Sequence, residues 1–144
     1  MSEINSLNCS YTELGHTAEI GLSLQADTAA NLFICAARAM FHLTHPQPAD
    51  NDEEEEWRQI TLSAQDQESL LIDWLSELLY LYETTGEVYD QFHVKIWEPT
   101  FLEATVTGRR RTERPAMHIK AVTYHQLEVV ETTKEWQARI FFDI

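Results

Sequence analysis

The residues best suited to chemistry lie near opposite ends of the chain. Glu19 sits in GHTAEIGL, residues 15–22, where a polar turn becomes an apolar strand. Strands usually enter a core on β-branched or aromatic residues, so an acid there calls for water, a cap or a cation. Asp143 belongs to the closing FFDI, and Ile144 adds backbone or terminal oxygen. If the two segments meet in space, their carboxylates approach one point and repel unless a cation intervenes. Oxygen-only, largely anionic donors suit a hard cation such as calcium or magnesium. His16 is close enough in sequence to support such a site. The plainer reading leaves Glu19 solvated on the polar side of its strand, and at this stage both readings stand.

A second group is basic. Arg109, Arg110, Arg111, Arg114 and Lys120 are half of all Lys and Arg, within twelve positions. Arg forks grasp phosphate or carboxylate oxygens, so RRRTERP reads either as an oxyanion contact or as a solvated hairpin. Few aromatic residues interleave it, which argues against a stacking platform for single-stranded nucleic acid. His42 and His45 have helical spacing but no third ligand nearby in sequence. His118 and His125 differ by an odd number, so on one continuous strand they face opposite sides. Asp66, Asp73 and Glu77 share a helix face, either as an exposed acidic stripe or as a docking face for a basic partner. No nucleophile elbow, phosphate-cradling glycine loop or zinc spacing occurs, and no catalytic residue is assigned.

The totals bound the possibilities. A chain of 144 residues is one domain by length. With 44% hydrophobic residues and only 4 Gly and 4 Pro, it is folded over most of its length. Its formal net charge of -14 argues against a broad basic face for nucleic acid. Six of the seven residues 50–56 are acidic. Cys9 and Cys35 form no metal spacing or disulfide framework. Cys35 reads as a small core residue and Cys9 as a thiol in a polar leader, which suits a reduced, cytoplasmic setting. The start MSEINSLNCS lacks the basic and apolar parts of a signal peptide, and no segment is apolar enough to span a membrane.

These residues need elements to position them. Ala18, Ile20, Leu22, Leu24 and Ala26 alternate with Glu19, Gly21, Ser23 and Gln25, which predicts a half-buried strand with Glu19 on its polar side. Asp27 or Thr28 caps a helix whose apolar stripe runs from Leu32 to about Leu43. His45-Pro46-Gln47-Pro48 stops it. A strand over 57–65 leads to Asp66 as the cap of a second helix, ended by Gly86. Alternation then predicts strands around Phe92–Ile96 and Leu102–Val106, a loop over 108–116, and either two strands or one bent strand over 117–131. In the last strand Trp136, Ala138, Ile140 and Phe142 face the core, and Gln137, Arg139, Phe141 and Asp143 face away. The fold class is α+β, with two helices packed on one face of a mostly antiparallel sheet of about six or seven strands. Residues 1–10 read as a flexible leader to a single domain over 11–144.

Taken together, these segments resemble the archease family. The resemblance rests on HTAEIGL, NLFICAARAMF, ESLLIDWLSELLYLYETTG, KAVTYHQLEV and FFDI, in that order, and covers about Tyr11 to Ile144. It implies a cytoplasmic accessory protein that is not itself an enzyme. Its partner would be an RtcB-type RNA ligase, with RNA engaged only through the ligase. Such proteins promote guanylylation of the ligase histidine and multiple turnover, in tRNA splicing or RNA repair. The resemblance also implies a divalent-cation site at Glu19, Asp143 and Ile144, with calcium the foremost candidate. His16, Arg109, Arg110, Arg111 and Lys120 are the candidate partner contacts. The family usually carries Asp where this chain has Glu19. The extra methylene moves the carboxylate by about one carbon–carbon bond, a change that calcium's flexible coordination tolerates at some cost in affinity.

Two other classes make different predictions. A metal-dependent hydrolase using the same acids would turn over phosphoesters on its own. A pure protein-interaction module would depend on Asp73 and Glu77 and be indifferent to Asp143.

Overall fold

The computed structural model describes residues 2–3, 9–15, 18–51, 53 and 55–144. Along the chain these form β1 (Ser2–Glu3), β2 (Ser10–Gly15), β3 (Glu19–Ala26), α1 (Ala29–Thr44), β4 (Arg58–Ser63), α2 (Gln67–Thr85), β5 (Glu87–Glu98), β6 (Phe101–Arg110), β7 (Ala121–Glu131) and β8 (Trp136–Asp143). The class is α+β. Among the described residues no helix is long and apolar enough to cross a membrane.

Local chemistry accounts for the helix ends. The Thr28 hydroxyl accepts the Asn31 N–H at 3.1 Å and caps α1, while the Asp27 carboxylate takes the Asn31 side-chain amide at 2.7 Å. Asp66 caps α2 by accepting the Ser69 N–H at 2.7 Å, and Gly86, at φ 78°, closes it in the left-handed conformation.

The expected single sheet is instead two. One has the order β1-β2-β3-β8-β7 and the other β4-β6-β5, with every pairing antiparallel. Nor do the helices pack on one face of a single sheet. Helix α1 packs on β3 and β5, and α2 on β7 and β5, so both helices touch both sheets. The physical reason is in α1, where 12 of 16 residues are buried. A helix apolar on nearly every side needs cover on nearly every side. The Trp74 indole donates to the Phe33 carbonyl at 2.9 Å and ties the helices together. Trp97 of β5 meets Phe33 edge-on at 5.7 Å and Trp136 of β8 at 5.5 Å, which joins the two sheets across the core.

Other boundaries also differ. Strand β2 pairs with β3 from Ser10↔Gln25 to Gly15↔Ile20, although SYTELG carries no clean apolar alternation. Ser2 and Glu3 pair with Tyr11 and Ser10. The loop expected from Gly108 begins only after Arg110. A Cβ at Gly108 would stand 1.8 Å from the Val88 carbonyl oxygen, so glycine there lets β6 run on beside β5. Residues 121–131 form one bent strand whose register breaks between Thr123 and Glu128, with Gln126 at φ 50°.

The expectation of a free Cys9 is overturned, and with it the argument from unpaired thiols for a reduced, cytoplasmic setting. Cys9 is buried and forms a disulfide with Cys35 of α1, with Cα atoms 6.0 Å apart. A separation of 26 residues with no local pattern hides this pairing from the sequence. A second buried feature carries charge. Arg58 grips Glu87 with two hydrogen bonds, at 2.7 and 2.9 Å, and the Tyr89 hydroxyl donates to the same carboxylate at 2.8 Å. The Arg58 bonds hold the Glu87 carboxyl below its usual range, and burial pushes Tyr89 up to about 12.

Candidate metal centre

Strand β8 lies between β3 and β7, and this sets the site. In the β3–β8 register Glu19 stands directly opposite Asp143, and Ile20 opposite Phe142. Directly paired residues share one face of the sheet. Ile20 and Phe142 point into the core, at 7% and 0% exposure. Their neighbours Glu19 and Asp143 therefore share the outer face, with Glu19 half-buried and Asp143 exposed. The Ile144 N–H donates to the Ala18 carbonyl at 3.2 Å, so the pairing continues past Asp143. On the other flank Ala121 pairs with Asp143, and the Lys120 N–H donates to the Asp143 carbonyl at 2.7 Å. Asp143 is thus fixed from both sides, and the sheet brings Glu19, Lys120, Asp143 and Ile144 together.

Like charges directly opposite on a sheet destabilise it by roughly 0.2–1 kcal/mol. The donor set is oxygen only, open to solvent on the Asp143 side, and suits a hard cation. Among the described residues no three His, Cys, Asp or Glu side chains gather as a ligand set. A cation here would therefore rest on two carboxylates, with its remaining oxygens from Ile144 and water.

The same face holds a feature that parity alone missed. Phe141 points away from the core, as its position in β8 predicts, yet it is only 2% exposed. His125, swung over by the bulge in β7, meets its ring edge-on at 5.3 Å. Beneath it, a Cβ at Gly21 would fall 2.6 Å from the ring. The Thr123 hydroxyl donates to the Phe141 carbonyl at 3.1 Å, and the Arg139 Nε to the Gln126 carbonyl at 3.0 Å. This outer packing stiffens β8 two residues before Asp143. The signal in the sequence was a glycine and an aromatic residue on the same outward parity of two strands.

The basic group is not a bare island. Arg109 pairs with Asp90 at 3.3 Å, Arg110 with Glu55 at 3.6 Å, and Arg111 with Glu113 at 2.5 Å. Arg111 also donates to the Gln47 carbonyl at 2.7 Å. From there the chain bonds to the end of α1, Ala116 N–H to Thr44 carbonyl at 2.7 Å, before Lys120 reaches Asp143. His45, one of the two histidines with helical spacing, is buried inside this arrangement. Its Nδ1 lies 3.0 Å from Glu113 and its Nε2 2.8 Å from the Tyr82 hydroxyl. Burial would raise the Glu113 carboxyl, but bonds from Arg111 and His45 hold it down at about 2. His42 and His118 are exposed, and Asp73 and Glu77 are half-buried on α2. His16 lies outside the described residues.

The family model of the Archease protein family (MTH1598/TM1083) matches residues 11–144. Protein archease of Methanosarcina mazei is 38% identical over 141 residues, which is 93% of this chain and 95% of that relative. Protein archease of Pyrococcus abyssi is 30% identical over 136 residues, covering 90% and 94%. The solution structure of Methanobacterium thermoautotrophicum protein 1598 superposes with a TM-score of 0.74 at 28% identity, over 96% of this chain and all of that one.

Proposed function

The chain belongs to the archease family, and from that premise we propose that it is a cytoplasmic, non-catalytic activator of an RtcB-type RNA ligase. In this reading it promotes guanylylation of the ligase histidine and multiple turnover, in tRNA splicing or RNA repair. The observation that carries the reading is the register that sets Glu19 opposite Asp143, more than a hundred residues apart in sequence.

The working tip is the outer face at the paired ends of β3 and β8. Glu19, Asp143 and Ile144 would hold a divalent cation, with calcium favoured by the all-oxygen donors and by a flexible coordination that accommodates the longer Glu19 at some cost in affinity. When bound, the cation neutralises the two facing carboxylates and lets this acidic end approach the ligase. Lys120, beside Asp143, offers a donor to a ligase carboxylate or to a phosphate. His16, three residues before Glu19, belongs to the same proposed contact. Arg109, Arg110 and Arg111 complete it through the loop that leads to Lys120. Arg110 has the most open side chain of the three, at 58% exposure.

The test is ligase guanylylation with the cognate ligase and GTP, with and without this protein. Glu19→Ala and Asp143→Ala, each verified as folded, are expected to lose the stimulation. Stimulation equal to wild type by both variants would overturn the proposed tip. Phosphoester turnover by the isolated protein would instead favour a hydrolase.

A further inference from the structure

A cavity of about 230 Å³ opens where α1 ends, and Arg38, His42, His45 and Arg111 line it. Arg38 and His42 are four residues apart on one face of α1, and His45, the residue that caps its end, follows three positions on. Arg111 arrives from the chain beyond β6. Its side chain is 7% exposed, and its Nε–H has no hydrogen-bond partner. A buried guanidinium N–H left in that state calls for an acceptor. The carboxylate that lines the cavity, Asp90, is already engaged by Arg109 at 3.3 Å. Arg111 keeps its ion pair with Glu113 and Arg38 donates to the Asp90 backbone carbonyl at 3.1 Å, so what the cavity offers is the unsatisfied Arg111 Nε–H beside a second guanidinium, in a protein that is -14 overall.

A helix C-terminus ordinarily repels anions through its bare carbonyls. Here the carbonyls of Phe41 and Thr44, and that of Gln47 just beyond the helix, are covered. Phe41 accepts the His45 N–H and the Thr44 hydroxyl, Thr44 accepts the Ala116 N–H, and Gln47 accepts Arg111. A metal is a poorer occupant, because His42 and His45 have no third His, Cys, Asp or Glu gathered with them among the described residues.

We propose that this cavity binds a small oxyanion of the phosphate class, held by Arg38 and Arg111 with His42 at its mouth. Guanidinium forks match phosphate oxygens in pairs. The volume lies below the roughly 300 Å³ at which pockets for larger ligands begin, so the occupant is inorganic phosphate or a small phosphomonoester. Phe41 and Val88 give the carbon part of a monoester an apolar wall. The cavity lies apart from the carboxylate tip; Arg111 is shared with the proposed ligase contact, and the anion titration needs no ligase.

The test is a titration of the full chain, labelled with nitrogen-15, at constant ionic strength. The readout is the arginine Nε–H resonances. One arm uses inorganic phosphate, a second glycerol phosphate, and a third acetate. The Arg111 Nε–H is expected to shift and saturate with one or both phosphate arms, and far less with acetate. Whichever phosphate arm saturates at lower concentration identifies the source. Arg111→Gln also removes the bond to Gln47, so the variants are Arg38→Gln and His42→Gln. Arg38→Gln is expected to weaken binding by about tenfold or more, and His42→Gln by less. No saturable movement at tens of millimolar phosphate overturns the proposal. So does an undiminished shift in both variants, because the effect would then be general screening.

Discussion

Reducing the Cys9–Cys35 disulfide tests how firmly β2 is held. The bond joins residues 26 apart and anchors the residue before β2 to α1. On the chain-entropy account, closing a loop of that length removes about 12 cal/mol/K from the unfolded chain, or about 3.5 kcal/mol at 25 °C. For a domain of this size each kcal/mol moves the melting temperature by roughly 2–4 °C, so reduction is expected to lower it by about 7–14 °C. Cys9 is 4% exposed and Cys35 0%, so reductant reaches the bond only through opening. The protein should therefore be reduced in urea and refolded under reductant, and its urea curve compared with that of the oxidised protein. The reduced curve should also be steeper, because an uncrosslinked unfolded chain exposes more surface. A Cys9→Ser/Cys35→Ala variant should behave like the reduced protein and ignore the reductant. Two alkylatable thiols in denatured, unreduced protein would falsify the pairing. A stability difference below about 1 kcal/mol would refute the claim that the loop constraint sets its effect.

Three further outcomes follow from the geometry. Asp143→Asn removes one of two facing charges; with cations chelated it should raise stability by about 0.2–1 kcal/mol, and it should abolish any calcium-dependent rise in melting temperature. Glu87 and Glu113 both titrate below the ordinary 4.5, Glu113 at about 2, so their stabilisation is complete above pH 4.5 and is lost as the pH falls toward 2. Acid unfolding should therefore shift to higher pH in Arg58→Ala, which strands Glu87 in the core and should cost about 3–5 kcal/mol at pH 7 by urea titration. Gly21→Ala places a methyl group 2.6 Å from the Phe141 ring and should cost about 1–3 kcal/mol. Phe141→Leu in that background should recover part of the loss, and a double-mutant cycle showing strict additivity would refute the contact.

Much of the candidate site's geometry was legible because strand parity is a local property. Alternation alone put Glu19 and Asp143 on the outward side of their strands. It could not say that the strands are neighbours, because pairing partners more than a hundred residues apart leave no local trace. The helix ends were legible for the same reason: Asp66, Thr28 and Gly86 act on N–H and carbonyl groups within four residues. What failed was long-range. The disulfide, the division into two sheets and the acid partners of Arg109, Arg110 and Arg111 depend on which distant segments meet. Phe141 shows the limit of parity itself. It faces outward as read, yet the β7 bulge folds His125 over it, so outward is not the same as exposed.

The position of β8 explains why the last described residues can belong to a precise site at all. Chain ends are ordinarily loose unless a sheet or a docked helix holds them. Here Trp136–Asp143 is an inner strand, bonded to β3 on one side and β7 on the other. Moving Asp143 means breaking the pairing with Glu19 and the Lys120 bond together, and lifting Phe142 from a core where it is fully buried. The carboxylate is thus placed by backbone pairing on both flanks, and its side chain has only its own short rotamers to explore. That rigidity is what a two-carboxylate cation site requires, because two ligands on independent, mobile segments would lose to ordering entropy most of what they gain in attraction.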